Sequence, residues 1–162
     1  MTEIFELEKW VWTEQDFDIM GWHDSHIYSI AFKPDSREFV MDIDYIFKWV
    51  HPVYPDNCFS FWVAPATLVF ENAHTLYIEI DSYNCDAEID SVQRSNPQKP
   101  INTDLIDKET EWTWVFDLQE GEISIKSVGY KQYIRRAPTF GTSQVLEPSM
   151  RGSDVFYRGR IE

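Results

Sequence analysis

Nowhere does the chain hold an uninterrupted apolar run of the about 18 residues a membrane-spanning helix needs. Its start, MTEIFELEKW, is acidic where a secretory leader is basic and then apolar. Together these absences predict a soluble, cytoplasmic protein with no membrane partner. Cysteine is scarce: Cys58 and Cys85 stand alone, without a CxxC spacing, and there is no N-x-S/T sequon. A disulfide framework is excluded, and both thiols are expected to be reduced, small apolar side chains.

Glycine is equally sparse, and its six occurrences, at 21, 121, 129, 141, 152 and 159, are isolated. No GxGxxG, no phosphate-cradling loop, no GxSxG elbow and no HExxH is present. A Cys58/His51 dyad is conceivable from proximity in sequence, but Cys58 opens an apolar strand, where a thiol is expected to be inert. Nucleophilic catalysis has little support, and a non-enzymatic role is expected.

Positive charge is short in most of the chain. Against 28 acidic residues there are 14 Lys and Arg, for a formal net charge of −14. Residues 1 to 120 hold 7 Lys and Arg against 24 acids (−17), and residues 121 to 162 hold 7 against 4 (+3). Such a body repels phosphate backbones, which argues against nucleic-acid binding. It suits a basic protein partner, or simply keeps the protein in solution.

Aromatic residues are abundant, at 16% with seven tryptophans. Rings and β-branched residues favour half-buried pleated surfaces, so a β-rich core is expected in a single domain spanning 1–162. Strands are predicted at 27–32 and 39–45, joined through Lys33-Pro34-Asp35-Ser36-Arg37-Glu38, with Phe32 opposite Phe39. Further strands fall at 59–63 and 67–70, with Pro65 marking an edge, a bulge or a strand start. Thr75–Asp81 and Trp112–Leu118 alternate with period two, and Trp112, Trp114, Phe116 and Leu118 share one face.

Glu120-Gly121 is expected to turn that last strand into 122–126, pairing Leu118 with Ile123 and Phe116 with Ile125. Gly129 then interrupts a strand that resumes at 130–135. In the segment 4–12, Ile4, Leu7 and Val11 fit a helical face, whereas Lys9–Trp12 fits a strand, and a strand is expected. Residues 94–109 read as a long loop, with room for one helical turn at 103–108, and the tail from about 137 reads as irregular. Many short strands with little helix predict an antiparallel β-sandwich or a partly open barrel.

The densest chemistry lies in MGWHDSHIYSI (20–30). His23 and His26 are three apart, which on a strand places them on opposite faces. With Phe32 opposite Phe39, Tyr28 opposes Ile43 and His26 opposes Tyr45 on the apolar side. The other side then gathers His23, Ser25, Ile27 and Ser29 with Asp42, Asp44 and Ile46. One imidazole and two carboxylates suit a divalent metal site or a hydrolytic acid/base pair, so His23, Asp42 and Asp44 are the candidate ligands. The alternative is structural: Asp24 caps the preceding turn, His26 meets a buried hydrogen bond, and Asp42 and Asp44 line a solvent face.

Arg135 and Arg136 form the one compact basic element. They are candidates for holding an anion, or for pairing with the protein's own carboxylates. Trp62, Trp112 and Trp114 either line a small-ligand pocket or are core.

The motifs WHDxxI (22–27), DIDYI (42–46) and APATLVF (64–70), with GEISIKSVGYKQYIRRAP (121–138), resemble a family of uncharacterised bacterial proteins of this length. The resemblance covers most of residues 16–138 and implies no activity or site residue. The WHD start followed by a strand also resembles, loosely, small β-rich immunity proteins that neutralise toxins. For this chain that implies an acidic inhibitor of a basic protein, where opposite charge raises association rate and specificity.

Overall fold

A computed structural model describes residues 4–152 and 156–161. Among these residues ten strands form two packed antiparallel sheets, the sandwich expected from the alternation of short strands. The strands are β1 (Val11–Thr13), β2 (His26–Lys33), β3 (Glu38–Val50), β4 (Ser60–Glu71), β5 (His74–Ile80), β6 (Ile89–Gln98), β7 (Glu111–Leu118), β8 (Gly121–Ser127), β9 (Gly129–Ile134) and β10 (Thr139–Gly141). One sheet runs β1-β9-β4-β3-β2 with β10 also on β4, and the other runs β5-β8-β7-β6. A six-residue 3-10 helix follows β1, and one helical turn, α1 (Pro148–Arg151), lies in the tail. No helix among the described residues is long and apolar enough to cross a membrane.

The core fills the space between the sheets. Phe39, Met41, Ile43 and Tyr45 of β3 face Trp114, Phe116, Leu118, Ile123 and Ile125 of the second sheet. Trp114 is fully buried against Phe17, Phe70 and Tyr130, and the Arg94 guanidinium lies 4.6 Å over Trp112. Trp62 packs elsewhere, against Phe5 and Phe140. The three tryptophans therefore share no pocket.

Several local features depart from the sequence expectation for physical reasons. β4 is one continuous strand through Pro65. Its partner β9 covers Ala66–Glu71 and β10 covers Phe61–Val63, so Pro65 sits at the gap between them. There its missing N–H breaks no ladder bond, while its carbonyl accepts from Arg135 N–H at 2.9 Å. β6 extends to Gln98, into the stretch read as loop, because β7 pairs with it as far as Gln98↔Glu111. As the edge of its sheet, β6 tolerates Pro97. Residues 101–105 form turns without a helix. Both cysteines are exposed rather than buried.

The β7–β8 turn is Gln119-Glu120, not Glu120-Gly121, so Leu118 pairs with Gly121, Phe116 with Ile123 and Trp114 with Ile125. Gly121 is a strand residue pressed against β5. A Cβ there would lie 1.9 Å from the Glu79 carbonyl oxygen, and its φ is +156°. At Gly129 the chain leaves one sheet and enters the other, and a Cβ would meet the Glu14 side chain at 2.5 Å.

Candidate functional site

The β2–β3 hairpin holds the predicted register from Phe32↔Phe39 to Ser29↔Asp42, then slips at a bulge on Tyr28. Ile27 therefore pairs with Ile43 and turns into the core, and His26 opposes Asp44 rather than Tyr45. A bulge inserts one extra residue, so the faces exchange beyond it. The expected grouping of Ile27 with the aspartates is replaced by this arrangement.

Asp42 and Asp44 lie on the face of β3 opposite the core, yet both are fully buried. What covers them is the tail. Asp44 accepts from the Arg151 guanidinium at 3.0 and 2.5 Å and from Leu146 N–H at 3.2 Å. Asp42 accepts from Phe156 N–H at 2.9 Å and from the Thr67 hydroxyl at 2.7 Å. Burial pushes both carboxyls above the ordinary aspartate value, and these donors oppose the shift without cancelling it.

His23 is exposed and lies with other partners. Its Nδ1 is 2.9 Å from the Asp90 carbonyl oxygen, its Nε2 is 3.4 Å from Asp24 Oδ1, and its ring stacks on Trp49. The Asp90 contact raises its pKa above 6.5 against the opposing effect of desolvation, with Asp24 adding to the rise. His23, Asp42 and Asp44 are thus held apart. Among the described residues, no three His, Cys, Asp or Glu side chains gather as a metal ion would require.

Asp24, with φ at 64°, donates its N–H to the Ile89 carbonyl and accepts from Gln144 Nε2 at 2.9 Å. His26 Nδ1 is 2.7 Å from Asp86 Oδ1. Arg135 is buried, donates to the Tyr28 hydroxyl, and is pushed down to about 10 by burial and by Arg151 and Arg136 nearby. Arg136 donates to the Ser149 and Met150 carbonyls, so it holds the tail.

One feature has no counterpart in the sequence reading. On the outer face of the second sheet, Glu79 of β5 opposes Glu122 of β8, which opposes Asp117 of β7. Like charges directly opposite one another are destabilising. Beside this row, the β7–β8 turn adds Glu120, the segment before β6 adds Asp81, Asp86 and Glu88, and the start of β6 adds Asp90. Glu120 accepts from Glu88 N–H at 2.7 Å, and burial together with Asp24 raises the Glu88 pKa.

Among the described residues, none of these eight acids has an ion pair with lysine or arginine; only His23 and His26 approach them. Between Lys48 and Arg94 the chain contains no lysine or arginine at all, which is the one sequence signal that marks this end. An open groove of about 410 Å³ runs along the β2 edge beside the acids. It is lined by Ile27, Tyr28, Ile30, Ile80, Cys85 and Asp86 among others.

No family model, curated protein or solved structure matches the chain.

Proposed function

We propose that this is a non-enzymatic binding protein whose acidic end engages a basic protein, an inhibitor of the immunity-protein kind being the concrete form. The observation that carries the reading is the row Glu79, Glu122, Asp117. Three carboxylates opposed across adjacent strands, with no ion pair to lysine or arginine among the described residues, oppose folding stability. A cationic partner relieves that repulsion. The groove lined by Ile27, Ile30, Ile80 and Asp86 supplies apolar area at the same end of the molecule. The resemblance of the WHD start to immunity proteins points the same way.

Affinity capture tests this, comparing the wild-type chain with a Glu79→Gln/Asp117→Asn/Glu122→Gln variant in extracts of the source cell. A single basic protein is expected on the wild type, lost from the variant and released as salt shortens the screening length. Capture unaffected by both the variant and the salt would overturn the reading.

A further inference from the structure

The described parts of the tail lie across the outer face of β3, held at four points by carboxylates, one just before β2 and three on β3, and also by Arg136 on the Ser149 and Met150 carbonyls and by Ile161 N–H on the Arg135 carbonyl. Gln144 bonds Asp24, Leu146 and Arg151 bond Asp44, Phe156 bonds Asp42, and Arg158 bonds Glu38 at 2.6 and 2.9 Å. The guanidinium of Arg151 also lies 3.9 Å over the Tyr28 ring. Of the described tail residues from 142 on, only Leu146 is buried, against Ile46, Phe61 and Val63.

Three properties make this segment separable from the sandwich. β3 is already paired on both sides, by β2 and β4, so lifting the tail breaks no strand ladder. The core on the other face of β3 is untouched by it. Asp42 and Asp44 regain hydration on opening, which recovers the desolvation that now raises their pKa values. β10, paired with β4, anchors the segment at its start, so a strap opening about Gly141 would part the Arg136 bonds and the Ile161 N–H from the Arg135 carbonyl but no strand pairing.

We propose that the strap is an internal competitor: the track it covers takes an arginine-bearing segment of the basic partner, whose guanidinium replaces that of Arg151 on Asp44. This rests on the reading of the protein as a binder of a basic protein. Two of the strap's own arginines carry it, since Arg151 closes on Asp44 and Arg158 on Glu38, which marks the track as one that takes guanidinium groups. The track is also continuous with the groove beside the acid row, for Tyr28 belongs to both.

A labelled peptide of residues 142–152 serves as the probe, titrated onto the full-length wild type and onto a full-length Arg151→Gln/Arg158→Gln variant. Binding at least roughly tenfold tighter to the variant is expected, and it should be lost on adding Asp44→Asn. Equal binding to both chains, or binding indifferent to Asp44→Asn, overturns the proposal. Hydrogen exchange on the wild type keeps it open to refutation if the variants fold poorly. The Leu146 and Phe156 amides should exchange well ahead of Met41 and Leu68; exchange of all four together overturns the strap.

A mass that doubles with concentration in the Arg151→Gln/Arg158→Gln variant would make a second copy the occupant and overturn the partner segment. If the peptide arm fails while the acid row still captures a basic protein, the strap alone is overturned. If the peptide binds but no basic protein is captured, the partner reading alone is.

Discussion

Arg151 closes on Asp44 through two hydrogen bonds, of 3.0 and 2.5 Å, across 107 residues of chain, and the carboxylate it reaches is fully buried on the outer face of a sheet. A hydrogen-bonded ion pair in such a place fixes where the tail lies while adding little net stability, because burial of the carboxylate offsets much of the attraction.

Arg151→Ala is accordingly expected to destabilise the protein by about 2 kcal/mol, the scale of charge-assisted hydrogen bonds. Trapping an unpaired buried charge would cost about 3–5 kcal/mol. The smaller figure follows because a lifted strap lets water reach Asp44. Urea unfolding followed by tryptophan fluorescence measures this, and a loss at the larger figure would show that the strap stays closed.

Gly121→Ala tests the revised β7–β8 register. The new methyl would sit 1.9 Å from the Glu79 carbonyl oxygen, a backbone atom that cannot move without parting β5 from β8. A loss of about 3 kcal/mol is expected, with the amides of β5 losing protection first. Were Gly121 a turn residue, with β8 beginning at Glu122, an added Cβ would meet no β5 carbonyl.

What the sequence made legible follows from range. Trp112, Trp114, Phe116 and Leu118 alternate within one strand, and that pattern names its own buried face. The split of His23 from His26 was not legible in this way, because His23 lies in the turn before β2 and strand alternation does not relate the two. Three other features depend on partners far along the chain. The Tyr28 bulge exchanges the faces of Ile27 and His26, Pro65 is tolerated because β9 and β10 leave a gap opposite it, and Asp42 and Asp44 are buried by a tail about a hundred residues later. An alternating strand marks its outer face as polar, and nothing in the alternation says that a distant segment will cover it. The acid row is likewise invisible until β5, β8 and β7 are set side by side.

Alkaline pH should unfold the protein through Tyr45 and Tyr130. Burial pushes Tyr45 up to about 12, and Tyr130 is raised further in the same direction. A folded-state pKa above the unfolded value of about 10 means the stability is fully present below pH 10 and is lost as pH rises toward the folded value. Tyr45 alone accounts for roughly 2–3 kcal/mol between about pH 10 and 12. Denaturant midpoints measured across that window should fall steeply for the wild type and less steeply for Tyr45→Phe.

On the proposed function, the acid row sets folding against binding. Glu122 faces Glu79 on one side and Asp117 on the other, so Glu122→Lys converts two repulsions into two attractions. Each opposed pair contributes about 0.2–1 kcal/mol. The variant should therefore be more stable than the wild type, by roughly 1 kcal/mol, with the gain shrinking as salt is added. A surface kept for solubility alone would lose nothing by this exchange, since the net charge stays strongly negative. A surface kept for a basic partner would lose affinity, because the lysine repels the cation that the row is shaped to receive. Thermal melts and partner capture on the same preparation separate the two. Higher stability with weakened capture is the expected pair of results, and higher stability with undiminished capture would place the partner away from the row.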